Sequence, residues 1–261
     1  MERGLAKVKT NMKIYEITAM SRSGHHSVYN WIIRNITGIQ CTWNFKMNII
    51  GDQGFHYLNE SNHDIPSSFH FIEERLEHID TLFVGYEDTP SDYTIFREDN
   101  VFNGPMSLSY YKKYNMDYSG RIILIRDFYN NLSSRIKSNE KKLFSKWKSN
   151  DLHLFNVEDY FISLWKDSAK SCLKNKFSYL KFEDWLYNKD IREKFLWDNF
   201  RLKDLHGIEN LIGTTSSFET VDGINERFKK VEIPKNIIEK VNSDKELKEL
   251  ILEMGYEYRE L

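Results

Sequence analysis

The 261-residue chain carries 37 Lys plus Arg against 39 Asp plus Glu, a formal charge of −2, and this balance speaks against a nucleic-acid binder of the basic-patch kind. Its length allows one substantial core and no Pro-, Gly- or Ser-rich linker divides it, so a single domain over 1–261 is expected. The cysteines, Cys41 and Cys172, follow no metal or redox spacing, no apolar leader pattern opens the chain, and no run has membrane-spanning length; the sequence predicts a soluble, cytoplasmic protein with no membrane span.

In chain order, the strand-like runs are "KIYEIT", "TLFVGY", "RIILIR" and "FSYLKF", each followed by a segment of helical spacing or by a loop leading to one. That alternation predicts an α/β fold, a central parallel sheet flanked by helices. "VEDYFISLWKDSAKSCL" puts Tyr160, Phe161, Leu164, Trp165 and Ala169 on one stripe and reads as an amphipathic helix. The basic stretch "SNEKKLFSKWKSN" reads as a solvated helix or loop. The closing "SDKELKELILEMGYEY" predicts a last helix, with Ser243 as its N-cap and Gly255 as the C′ residue.

The chemistry begins at "AMSRSGHHSVYNWI", between the first strand and a helix. Residues Ser21 to Ser27 predict a tight turn that gathers backbone N–H groups at a helix N-terminus, a geometry that binds phosphates, with Arg22 adding fixed positive charge. The nucleoside-triphosphatase pattern G-x-x-x-x-G-K-[ST] is not met, because Ala19 stands at its first Gly and His25 at its Lys. A strand-to-helix turn of this kind also occurs with no ligand. A second element strengthens the ligand reading: "RIILIRDFYNNLSS" is a buried strand ending in Arg126 and followed by Ser134. In a parallel sheet Arg126 emerges at the same carboxyl edge as the first turn, where an Arg and a Ser can grip a second phosphate. The other reading of Arg126 is a surface residue paired with Asp127.

Taken together, these segments resemble the sulfotransferases that use 3′-phosphoadenosine 5′-phosphosulfate (PAPS). "SRSGHHSVYNWI" is similar to that family's 5′-phosphosulfate loop, of the form basic residue, Ser, Gly, Thr, Thr, which implies contacts from Ser21, Arg22, Ser23, Gly24, His25, His26 and Ser27. "RDFYNNLSS" resembles its 3′-phosphate motif, with Arg126 and Ser134 at the family spacing. "FSYLKFEDWL" resembles the strand that usually reads Tyr-Glu-Asp, here Phe182, Glu183 and Asp184. "TSSFE" resembles the adenine contact and so implicates Ser216 and Phe218, and "LILEMGYEY" looks like the Leu-Gly-Tyr ending of many members. The resemblance runs in order over nearly the whole chain and implies a P-loop-like sulfotransferase architecture, with PAPS as donor, 3′-phosphoadenosine 5′-phosphate (PAP) as product and no metal.

The departures are specific. His25 and His26 replace both family threonines, and Ser27 replaces the aromatic that often follows. The late Arg-Lys-Gly loop aligns with "VDGINERF", where Gly223 and Phe228 match but Val221 and Asp222 replace the cations; Arg227 or Lys229 is the candidate substitute for the 3′-phosphate. The resemblance implies transfer of a sulfuryl group to an acceptor hydroxyl. Arg22 is the candidate for charge stabilisation on the leaving oxygen. The resemblance implies a His or Glu base near the end of the second strand; Glu87, in "TLFVGYED", is the first candidate and His25 the second, the other reading of Glu87 being a carboxylate that caps the following loop. The aromatic content favours a carbohydrate acceptor by a small margin. Two other classes stay open: a small-molecule kinase using ATP at an atypical loop, and a catalytically silent nucleotide-binding member of the fold.

Overall fold

A computed structural model describes residues 12–20, 23–36, 40–46, 55–58, 65–67, 80–88, 91, 116–139, 157–208 and 228–261. The strands are β1 (Met12–Ala19), β2 (Gln40–Lys46), β3 (Phe55–Leu58), β4 (Ile65–Ser67), β5 (Thr81–Glu87), β6 (Met116–Ile125) and β7 (Ser178–Lys181). The helices are α1 (His25–Asn35), α2 (Phe128–Asn139), α3 (Val157–Leu173), α4 (Phe182–Tyr187), α5 (Lys189–Phe200), α6 (Lys235–Ser243) and α7 (Lys245–Glu253). All seven strands join one sheet in the order β4-β3-β2-β5-β1-β6-β7. Strands β2, β5, β1, β6 and β7 run parallel, while β3 and β4 extend one side as antiparallel strands. The predicted parallel sheet flanked by helices is therefore present.

The central strands β1 and β6 bury side chains on both faces, as their near-continuous apolar runs require. On one face, Ile123 and Ile125 of β6 pack with α2, α3, α6 and α7 around Phe128, Trp165 and Ile251. On the other, Tyr15, Ile17 and Ala19 of β1 and Ile122 and Leu124 of β6 pack with α1, α4 and α5 around Trp31, Trp185 and Leu196. The alternation of β6 between the two cores is the period-2 pleat of a strand.

Helix α3 spans the segment that its apolar stripe predicts. The closing helix starts one residue later than expected. Ser243 is the last residue of α6, and Asp244 is the N-cap of α7, its carboxylate accepting from Leu247 N at 2.9 Å. Asp244 wins because it also meets the Lys166 ammonium at 2.9 Å, which a serine hydroxyl cannot match. Gly255 is C′ with φ of 74°, and the bonds Tyr256 N to Ile251 O and Gly255 N to Leu252 O complete a Schellman ending.

One feature of the sheet interior runs against its apolar character. Glu16, in the middle of β1, is buried with Arg121 of β6, their charged ends 2.7 Å apart. Glu16 also accepts from Tyr86 Oη at 2.6 Å and Tyr118 Oη at 3.0 Å, and Arg121 donates to Ser91 O at 2.6 Å. The carboxylate thus ties β1 to both its neighbours. Removing one partner of such a pair leaves a buried charge uncompensated. Glu16→Ala should cost about 3–5 kcal/mol in urea-unfolding measurements, and Glu16→Met with Arg121→Met should recover much of that loss.

Candidate functional site

At the carboxyl edge of the sheet the chain leaves neighbouring strands in opposite directions. From β1 it turns into α1 on one face, and from β6 it turns into α2 on the other. Open parallel sheets bind ligands in the crevice made by such a reversal. Ser23, Gly24 and His25 follow β1, Arg126 and Asp127 follow β6, and Phe182 and Glu183 follow β7.

Gly24 is the N-cap of α1 and takes φ of +84°, a left-handed conformation that favours glycine. It also leaves room for a neighbour. A Cβ built there would lie 2.2 Å from Cε2 of Phe182, so the turn and the ring approach each other only because the side chain is absent. Gly24 gives α1 no side-chain cap, and the first turn of α1 carries no acidic residue. The helices α2, α5 and α7 are capped by the side chains of Asp127, Asn188 and Asp244, whereas α4 and α6, like α1, have no side-chain cap. From its own cap and first turn the N-terminus of α1 thus receives no anion to offset its positive end. Beside it, Ser23 is buried and its Oγ has no hydrogen-bond partner among the described residues.

Arg126 is 2% exposed, which excludes the surface reading. Its carbonyl accepts from Trp165 Nε1 at 2.9 Å, so α3 fixes the backbone. Its guanidinium lies over the Phe182 ring, 4.6 Å from the centroid. Burial lowers the Arg126 pKa, and the carboxylates of Glu183 and Asp127 oppose that shift. A planar cation held this way suits a phosphate or carboxylate partner.

The carboxylates around Arg126 are not equivalent. Asp127 caps α2, accepting from Asn130 N at 2.8 Å, and pairs with Arg259 of the C-terminal tail at 3.0 Å. Glu183 is held more loosely. One oxygen is 3.7 Å from Arg126 Nε, both are 3.3 Å from Asp127 N, and Tyr256 Oη donates to Oε2 at 3.2 Å. Burial pushes the Glu183 carboxyl up to about 7 in spite of the Arg126 charge.

Several predicted site residues are placed by these elements and others are not. Gly24, Arg126 and Phe182 come together. Ser134 is buried on α2, and Ser27 lies inside α1 with its amide bonded to Gly24 O at 3.1 Å, so the turn is shorter than the predicted Ser21 to Ser27. His25 opens α1 and sits buried, edge-on to the Tyr29 ring with centroids 5.8 Å apart. Phe182 and Glu183 open α4 instead of continuing β7; Glu183 and Asp184 favour the positive end of that helix. Glu87 closes β5 beside Ala19 of β1. Asp88 takes φ of 56° and forms a bidentate pair with Arg135 of α2 at 2.6 and 3.2 Å. Ser21, Arg22, Ser216, Phe218, Arg227 and the side chains of His26 and Glu87 lie outside the described residues. Sequence reasoning assigned no role to Tyr256 or Arg259, which reach the site from the far end of the chain; the Gly-Tyr ending was the available signal.

No family model matches this chain, and no curated protein does. Among solved structures, the chain is similar to a sulfotransferase domain from the curacin biosynthetic pathway, with 12% identity over 96% of this chain and 100% of that one and a TM-score of 0.44.

The close approach of the turn to Phe182 gives a direct test. Gly24→Ala should destabilise the protein by about 1–2 kcal/mol from the left-handed backbone alone, with the ring clash in addition. Thermal unfolding of Gly24→Ala with and without Phe182→Leu separates the two parts, since the second change should return only the steric one.

Proposed function

We propose that the protein is a PAPS-dependent sulfotransferase acting on an acceptor hydroxyl, with a carbohydrate as the favoured acceptor. The observation that carries this reading is the convergence of Gly24 and Arg126 on one ring, Phe182, at the reversal between β1 and β6. These are the positions that the sequence resemblance assigns to the 5′-phosphosulfate and the 3′-phosphate, and they arrive from separate strands. Ser23 Oγ, without a hydrogen-bond partner among the described residues, and the N-terminus of α1, without a side-chain cap, support an anion at the first position. Buried Arg126, with Ser134 on α2, supports one at the second.

The chemistry asked of these residues is mainly placement and charge. Sulfuryl transfer resembles loose phosphoryl transfer, in which positioning and stabilisation of the leaving oxygen supply most of the acceleration. Arg22, fully ionised at any working pH, is assigned to that oxygen. Glu87, at the carboxyl end of β5 next to β1, is assigned the acceptor proton. His25 is assigned to the phosphosulfate end, and Phe218 with Ser216 to the adenine. Arg126 is assigned to the charge of the 3′-phosphate, with no metal called for.

Calorimetric titration with PAP, set against ATP with Mg²⁺, tests the donor; a preference for ATP with Mg²⁺ would replace this reading with a kinase. Arg126→Ala should weaken PAP by about 1.5–3 kcal/mol and abolish its advantage over the nucleotide that lacks the 3′-phosphate. Retained discrimination would refute the assignment.

For the base, Glu87→Gln should keep PAP affinity and lower turnover by roughly 10²–10⁴. Asp88→Asn should act on unfolding instead, because the Asp88 carboxylate is committed to Arg135. Transfer activity should persist in a chelator, and strict dependence on Mg²⁺ would count against the donor assigned here.

A further inference from the structure

The carboxylate beside Arg126 is held at a longer distance than those of the other ion pairs with a buried partner, of which Arg192 with Asp204, at 3.3 Å, comes nearest to it. Glu16 and Arg121 meet at 2.7 Å, and Asp88 and Arg135 at 2.6 Å. Glu183 stands 3.7 Å from Arg126 Nε and shares a single amide between its two oxygens at 3.3 Å each. It occupies the place of an anion, next to a guanidinium and at the start of α2. Its third partner, Tyr256 Oη, is a donor and so favours the ionised carboxylate.

We propose that Glu183 is the internal counter-ion of Arg126, fastened by Tyr256 of the C-terminal tail, and that an anion binding beside Arg126 drives a proton from solvent onto the Glu183 carboxylate. This rests on the reading above that a nucleotide phosphate binds at Arg126. The balance is simple: anion, ionised Glu183 and one buffer proton give bound anion and neutral Glu183. No other bond changes.

The surroundings support the direction. Facing the carboxylate are Arg126 and Asp127 from the β6–α2 junction and Tyr256 from the tail. Behind them, Arg259 pairs with Asp127, and Lys181 at the end of β7 lies over the Tyr256 ring at 5.0 Å. On its own helix, Asp184 acts on Tyr256 and Tyr187 on Arg126. Arg126 is the cation nearest the carboxylate, and Asp127 already opposes it. A phosphate engaging Arg126 adds negative charge and takes up part of the attraction that Arg126 exerts on the carboxylate. With its pKa already about 7, Glu183 then shifts to the neutral acid. By reciprocity, ionisation of Glu183 must weaken the anion.

The test is calorimetry of PAP with the full chain at several pH values, in buffers of different ionisation enthalpy. At pH 7.5 the wild-type protein should take up about half a proton or more per PAP beyond that taken up by Glu183→Gln. The nucleotide's own phosphates titrate alike in both proteins and cancel in the difference. From pH 7 to 8.5 the wild-type Kd should rise about five- to tenfold relative to that of Glu183→Gln. Tyr256→Phe, which deletes only the hydroxyl, should move this rise to higher pH, whereas a merely structural tyrosine would weaken PAP equally at every pH. Equal proton counts in wild type and Glu183→Gln, with PAP bound by both, would overturn the counter-ion and leave the nucleotide reading standing. Failure of the wild-type protein to bind PAP would overturn both.

Discussion

The close approach of Gly24 to Phe182 is the contact on which the carboxyl edge of the sheet depends. It joins the turn after β1 to the start of α4, two segments on opposite sides of β6. The same ring receives the guanidinium of Arg126 on its face. A phenyl ring can serve both because one neighbour has no side chain and the other is planar. With Phe182 fixed, the next residue, Glu183, is delivered to Arg126 and to the first amide before α2. The placement of charge at this edge therefore follows from a steric fact about a glycine.

Two buried arginines, Arg121 within β6 and Arg126 just past its carboxyl end, show how differently one segment can use the same residue type. Arg121 has its cation fully committed, to a carboxylate at hydrogen-bond distance and to a carbonyl, and both tyrosines around Glu16 complete the set. That arrangement holds β5, β1 and β6 in register. Arg126 lies at the strand's other end, where its carboxylate is more distant and shared with backbone. Satisfying every partner makes the first a structural joint. The second ion pair is a long one, a carboxylate 3.7 Å from the guanidinium instead of at hydrogen-bond distance.

Much of the architecture is legible in the sequence because it is local. The helix from Val157 to Leu173 follows from a stripe at helical spacing, and the strands β1, β5 and β6 from apolar runs bounded by turns. The turn holding Gly24 and the position of Arg126 just past a strand were legible because each follows an apolar run and leads into a helical pattern. The depth of Arg126 was not, since a charged residue at a strand end reads as surface until Phe182 and Trp165 are seen to cover it. Nor was the pairing of Glu16 with Arg121, because no local pattern reveals that β1 and β6 are neighbours. The N-cap of α7 was missed by one residue: Ser243 and Asp244 are both good caps, and the choice is made by Lys166 from a distant helix.

The strand order also bears on how the chain acquires its structure during synthesis. β1 is made first, yet its neighbours in the sheet are β5 and β6, and the partner of Glu16 lies 105 residues away. Until β6 emerges, the central strand has at least one edge without its final neighbour, and unpaired apolar edges invite pairing with other chains. A carboxylate in the middle of that strand works against such pairing while the strand waits. The residue that locks the finished sheet is thus also one whose charge disfavours premature pairing at that strand's edges.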